Sequence, residues 1–173
     1  MVFLIFIGIF SLSYSIGSQS KLSDEESQTF LKEFQNVVAG IDALGIFEHN
    51  ISIALPMFIP GFGLAWGAFA AWSTGVAFSA LVSTTPALAK IPPLALLYLS
   101  PFGVMELIAY SIGMSRSYLL INVIIRKKPL KNELRQTLIE TGIVFGLLLA
   151  GAFIEYFMIQ QFGSSVVNPK PGL

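Results

Sequence analysis

Residues 92–115 read PPLALLYLSPFGVMELIAYSIGMS. The stretch is long enough to cross a bilayer. It also carries a proline–glycine break at Pro101–Gly103 and sets one carboxylate, Glu106, at membrane depth. A carboxylate in hydrocarbon costs roughly 3 kcal/mol on insertion scales, so it marks a functional or structural site with a partner. The fold class expected from this stretch is all-α: a polytopic transmembrane helix bundle in a single integral membrane domain over residues 1–173.

Composition agrees. Only 12% of the 173 residues are charged and 54% are hydrophobic, with a mean hydropathy of +0.75. A soluble domain carries about 25% charged residues. Nucleic-acid binding needs a basic face on a wet domain, which this composition excludes. Without cysteine, disulfides, thiolate metal sites and cysteine nucleophiles are excluded as well. The net charge of zero conceals an asymmetry: six acids against two lysines over 21–49, and six basic residues against Glu133 over 116–135. Such a split orients a membrane protein, basic side inward.

Five transmembrane helices are expected, at about 1–17, 51–70, 73–89, 91–114 and 138–162. Met1 to Gly17 is almost wholly apolar; the lack of a basic segment before it favours a retained first helix over a cleaved signal peptide. Residues 18–50 form the extracytoplasmic segment. Within it Ser23 and Glu26 have capping-box spacing, and Phe30, Leu31, Phe34, Val37 and Val38 recur as on an amphipathic helix ending near Gly40. Residues 51–89 hold no charge over 39 positions. They are two crossings if a break falls near Trp72–Gly75, and one long helix, four in all, if the small-residue stripe runs on unbroken. The charge bias calls for an odd number of crossings between the acidic and basic segments, hence five, with the N-terminus cytoplasmic and the C-terminus extracytoplasmic.

Gly63, Gly67, Ala71 and Gly75 fall every fourth residue, and Gly142 and Gly146 repeat the spacing on the last helix. Small residues at that interval let helix backbones approach closely. Gly103 sits in the break before Glu106. The cytoplasmic segment 116–137 carries Arg116, Arg126, Lys127 and Lys128, an inner-face basic anchor that could also touch anionic lipid head groups. Arg116 is placed to reach toward Glu140 at the inner interface. Counted along the helices, Glu106 and Glu140 lie on the cytoplasmic side and Glu155 toward the outer side, so Glu106 and Glu155 are not expected to pair directly. His49, the only histidine, stands beside Glu48 and reads as an interface residue. No metal or cofactor is expected, and no nucleophile–base pair or phosphate loop points to catalysis.

Taken together, E-H-N-x(3)-A-L before a glycine-rich helix, L-S-P-F-G-V-M-E-L-I-A, and a late helix with F-I-E resemble the stage II sporulation protein M family of membrane proteins. The matching positions are Asn50, the glycines from Gly63 to Gly75, Pro101, Gly103, Glu106, Ala109 and Glu155, within residues 45–160. The histidine of the family's Pro-His-Gly-x-x-Glu block is Phe102 here, which removes half of any His–Glu couple. The resemblance implies an integral scaffold of the kind that holds peptidoglycan hydrolases at the engulfing membrane of sporulating bacteria. The expectation is a non-catalytic accessory subunit in the lipid bilayer, packed against other integral membrane proteins in a complex such as a multisubunit membrane enzyme. A transporter or permease component using the intramembrane glutamates, and an anchor for cell-envelope enzymes, are the alternatives.

Overall fold

The computed structural model describes residues 2–23, 25–30, 32, 40–84 and 89–167, with 84 and 162–167 by backbone alone. Every regular element among them is helical. Three helices are long and apolar enough to cross a membrane, within Phe62–Ser83, Pro101–Ile125 and Lys131–Gln161; Val2–Gly17 and Ala43–Phe58 are shorter apolar helices.

Helix α1 (Val2–Gly17) is apolar all round. Phe6, Phe10, Tyr14 and Gly17 fall on one buried face, while Leu4, Ile5, Leu12 and Ile16 stand exposed on the others. A helix of that kind belongs in a core or a membrane. Beyond it the capping box forms as expected. The Ser23 amide and hydroxyl donate to Glu26 Oε2 at 2.9 and 2.7 Å, and the Glu26 amide donates back to Ser23 Oγ at 3.3 Å. The backbone donor of Ser23 and then its hydroxyl hold the Glu26 carboxyl below its ordinary range. Residues 25–30 are helical; Leu31, Phe34, Val37 and Val38 lie outside the described residues.

Helix α2 (Ala43–Ala54) starts on Asp42, whose carboxylate accepts from the Gly45 amide at 2.8 Å. It tightens into a 3-10 turn over Leu55–Phe58, because Pro56 has no N–H to continue the α-helical ladder. Pro60 and Gly61, the latter at φ +79°, then reverse the chain into α3 (Phe62–Thr84). The break expected near Trp72–Gly75 is absent: α3 is one helix of 23 residues. The helix breakers of this region are Pro56, Pro60 and Gly61. Inside α3 the Thr74 hydroxyl only bonds back to the Ala70 carbonyl at 2.9 Å and leaves the ladder intact.

The expected helix over 91–114 is two helices, α4 (Pro93–Leu99) and α5 (Pro101–Ile125). Ser100 between them is extended (φ −84°, ψ 132°), as a residue before proline tends to be, and its hydroxyl accepts from the Gly103 amide at 3.1 Å. Helix α5 runs on through Arg116 to Ile125. Lys127, at φ +53°, closes it: the Lys127 and Lys128 amides donate to the carbonyls of Ile124 and Val123 at 2.9 and 3.0 Å. After Pro129, α6 (Lys131–Val167) begins, and the crossing expected over 138–162 lies within it.

Helix α5 is the axis of the bundle. Phe10 stacks on Tyr110 and Phe6 meets Tyr118, so α1 runs antiparallel to α5. Gly67 faces Met114 and Gly61 faces Ile121, so α3 is antiparallel too. Arg116 reaches Glu140 while Gly151 lies against Met105, so α6 is the third antiparallel neighbour. Helix α2 is the exception: Asn50 pairs with Glu106, Met57 with Gly113, and Ser117 with the Ile59 carbonyl, a parallel order.

Contact in apolar surroundings is won by close van der Waals packing, not by expulsion of water. The stripe on α3 does this. A Cβ on Gly63 would fall on the Met57 carbonyl, one on Gly67 on the Met114 side chain, and one on Gly75 on the Tyr14 carbonyl; Ala71 is wholly buried. The second stripe behaves differently. Gly142 and Gly146 have nothing within 4 Å of a Cβ and face outward, because α6 packs through Val144, Leu148, Gly151 and Ala152 instead.

Candidate functional site

Past the turn at Ser100 and Pro101, Glu106, Ala109 and Tyr110 follow at helical spacing on α5. Asn50 on α2 is 7% exposed, and its Nδ2 donates to Glu106 Oε1 at 2.8 Å. Glu106 itself is half-buried. Tyr110, one turn further along α5, is buried against Phe10. Glu155 on α6 is also half-buried and lies within Coulombic range of both Glu106 and Tyr110. Three helices thus contribute one intramembrane polar cluster.

Helix α6 meets Phe102 and Met105 at Gly151, so Glu155, one turn on, lies beside the start of α5, ahead of Glu106 along that helix. The two glutamates form no hydrogen bond with each other. Phe102, the position of the family's histidine, packs by its Cα against Gly151. A hydrogen bond across helices in a membrane is worth about 0.6 kcal/mol on average. Glu106→Gln keeps an oxygen for Asn50 and is expected to change thermal stability in detergent by less than about 1 kcal/mol. Glu106→Leu leaves Asn50 buried and unpaired and is expected to cost about 1–3 kcal/mol. Equal melting temperatures for the two variants would show that the bond holds nothing.

A second polar cluster sits toward the other end of α5. Arg116, expected among the surface anchors, is 3% exposed. Its guanidinium grips Glu140 with two bonds, Nε to Oε2 at 2.6 Å and Nη2 to Oε1 at 2.5 Å, and Nη1 reaches Glu133 Oε2 at 3.0 Å. Gln136 adds a donor to Glu140 Oε1 at 3.1 Å. The fork geometry of arginine suits this bidentate grip. The approach to Glu140 was legible in the sequence; the burial and the second carboxylate, Glu133, were not. The signal for Glu133 was its spacing of seven from Glu140, two turns on one helix face.

Arg126, Lys127 and Lys128 lie exposed past the end of α5, as an anchor requires. Glu48 and His49 are exposed, and the described residues hold no group of three or more His, Cys, Asp or Glu side chains arranged for a metal ion. Sequence reasoning also missed Gly17. A Cβ there would fall on the carbonyl oxygen of Trp72, so Gly17 and Gly75 together form the crossing of α1 and α3.

No curated protein and no solved structure matches the chain. The family model described as Stage II sporulation protein M matches residues 1–158, from α1 past Glu155, and the chain belongs to that family.

Proposed function

We propose that this chain is a non-catalytic, multi-pass scaffold or accessory subunit that packs against partner membrane proteins in a larger complex. The observation that carries the reading is the outer face of α6. Gly142, Gly146 and Ala150 lie exposed in one line there, and only 22% of the most apolar part of that helix is buried. Small residues at i, i+4 and i+8 make a shallow groove that a neighbouring helix backbone fills better than lipid does. The polar residues shared with the family support the same reading, since Asn50 and Glu106 bond to each other across helices.

The proposed topology has five crossings. If α1 runs outward, the order of contacts sends the Ala43–Phe58 segment inward, α3 outward, α4–α5 inward and α6 outward. That puts the basic cluster at 126–128 on the cytoplasmic side and the C-terminus outside. The second crossing is then Ala43–Phe58, whose 16 residues rise about 24 Å, and not the first half of 51–89. Cysteine-scanning accessibility at Ser23, Ser83 and Lys128 tests it: the first two label from outside and the third from inside.

Gly142→Leu with Gly146→Leu is expected to shift the chain out of its native complex, seen on native gels of mildly solubilised membranes. Its own melting temperature should be unchanged or raised, since both positions are open and leucine is the better helix former. A complex of unchanged size would remove the scaffold reading's main support. The transporter reading draws on one observation, two carboxylates of different helices near Tyr110. Glu106→Gln and Glu155→Gln would abolish proton- or cation-coupled uptake in vesicles on that reading and leave it untouched on the scaffold reading. As an anchor for cell-envelope enzymes, the chain would instead co-purify with a wall hydrolase.

A further inference from the structure

Where α5 ends, a shallow cavity of about 270 Å³ opens between it and the first turn of α6, lined by Tyr118, Leu119, Asn122, Val123, Arg126, Lys128 and Glu133. The volume is the room of about nine water molecules. The backbone builds it. Because Lys127 takes the left-handed conformation at φ +53°, the helix stops abruptly, and Arg126 and Lys128 line the same hollow while Lys127 does not.

The lining has the chemistry of a phosphodiester site. The cationic Arg126 and Lys128 line it together with Tyr118. The one carboxylate, Glu133, is held at 3.0 Å by the buried Arg116, a cation it shares with Glu140. Asn122 spends its Nδ2 on the Tyr118 carbonyl at 2.8 Å, which leaves Oδ1 to accept from a hydroxyl. Beside the hollow the aliphatic Ile124, Ile125, Leu130 and Leu134 are exposed, interspersed with the exposed Lys127, Lys131 and Arg135. The aliphatic side chains offer an acyl chain a contact for which a soluble anion has no use. Basic pockets between helices at the cytoplasmic membrane surface are a recurrent seat for anionic head groups.

We propose that this cavity is a specific site for one anionic phospholipid, its phosphate between Arg126 and Lys128 and a head-group hydroxyl on Asn122. The site requires the chain to lie in a bilayer and is independent of whether it serves as a scaffold.

The test is native mass spectrometry of the full chain in mild detergent, titrated with phosphatidylglycerol, with phosphatidylcholine, and with inorganic phosphate. One phosphatidylglycerol is expected to bind in preference to phosphatidylcholine. Each basic residue near a membrane surface contributes about 1 kcal/mol, so Arg126→Gln with Lys128→Gln should weaken that binding about 30-fold. Lys127→Gln removes the same kind of charge from outside the cavity and should change it less than about threefold. Size-exclusion profiles confirm that the variants, all at exposed positions, remain folded. Equal retention of phosphatidylcholine would overturn the site, as would a loss for Lys127→Gln as large as that for the double variant, which would mean diffuse attraction. Displacement of the lipid by inorganic phosphate at matching concentration would overturn the lipid as its occupant. These outcomes do not depend on any partner protein, so they stand apart from the fate of the complex on native gels.

Discussion

Arg116→Met is expected to destabilise the folded chain by about 3–5 kcal/mol, the usual cost of breaking a buried ion pair from one side. The guanidinium is 3% exposed and makes two bonds to Glu140 and one to Glu133. Without it two carboxylates remain at the packed surface between α5 and α6 with no cation. Glu133 can turn toward water, being a third exposed, but Glu140 is only 20% exposed and has Gln136 alone as a remaining donor. The measurement is thermal unfolding in a mild detergent, followed by the fluorescence of Trp66 and Trp72. Removing the charge on both sides should recover much of the loss, because an apolar pair of similar volume often replaces a buried ion pair without cost. Arg116→Met with Glu140→Met is therefore expected to melt well above Arg116→Met alone. If the single variant melts with the parent, the network is an ornament of the interface.

Gly75→Leu is expected to be nearly as damaging, through geometry alone. A Cβ at position 75 would fall on the carbonyl oxygen of Tyr14 and lie 2.7 Å from the Ser18 amide nitrogen. Both obstacles are backbone, so no side chain can swing aside, and α1 and α3 must move apart. The same crossing is tight from the other side, where Gly17 faces the Trp72 carbonyl. Overpacking typically costs about 1–3 kcal/mol, and a rigid backbone contact belongs at the upper end. Even Gly75→Ala should lower the melting temperature, although alanine is the better helix former. Gly142→Leu is the internal comparison: it makes the same change on a helix face with nothing within 4 Å. Equal effects at 75 and 142 would mean that the α1–α3 crossing is looser than its geometry.

The contrast between these two glycines marks the boundary of what the chain reveals by its letters. The all-helical membrane class follows from the runs of apolar residues around Glu106. The capping box at Ser23 and Glu26, the stop at Ser100–Pro101 and the basic end of α5 follow from local chemistry, each within a few neighbouring residues. So does the choice of Glu106 and Glu155 as intramembrane polar groups, since such groups stand out against hydrocarbon whatever the fold; Asn50 was singled out only by the resemblance to the family.

What the sequence could not reveal is which face of each helix meets protein. In water the two faces differ, because one is wet. In a bilayer both are apolar, so Gly63–Gly75 and Gly142–Gly146 carry the same signal although the first stripe is packed and the second open. Arg116 likewise reads as a surface anchor until the rotation of α5 against α6 turns it inward to Glu140. The pairing of Asn50 with Glu106, the use of Gly17 at the α1–α3 crossing, and the parallel order of α2 beside α5 all depend on the relative depth and rotation of separate helices. Those quantities are set by close van der Waals fit between segments far apart in the chain, and the tertiary structure alone decides them.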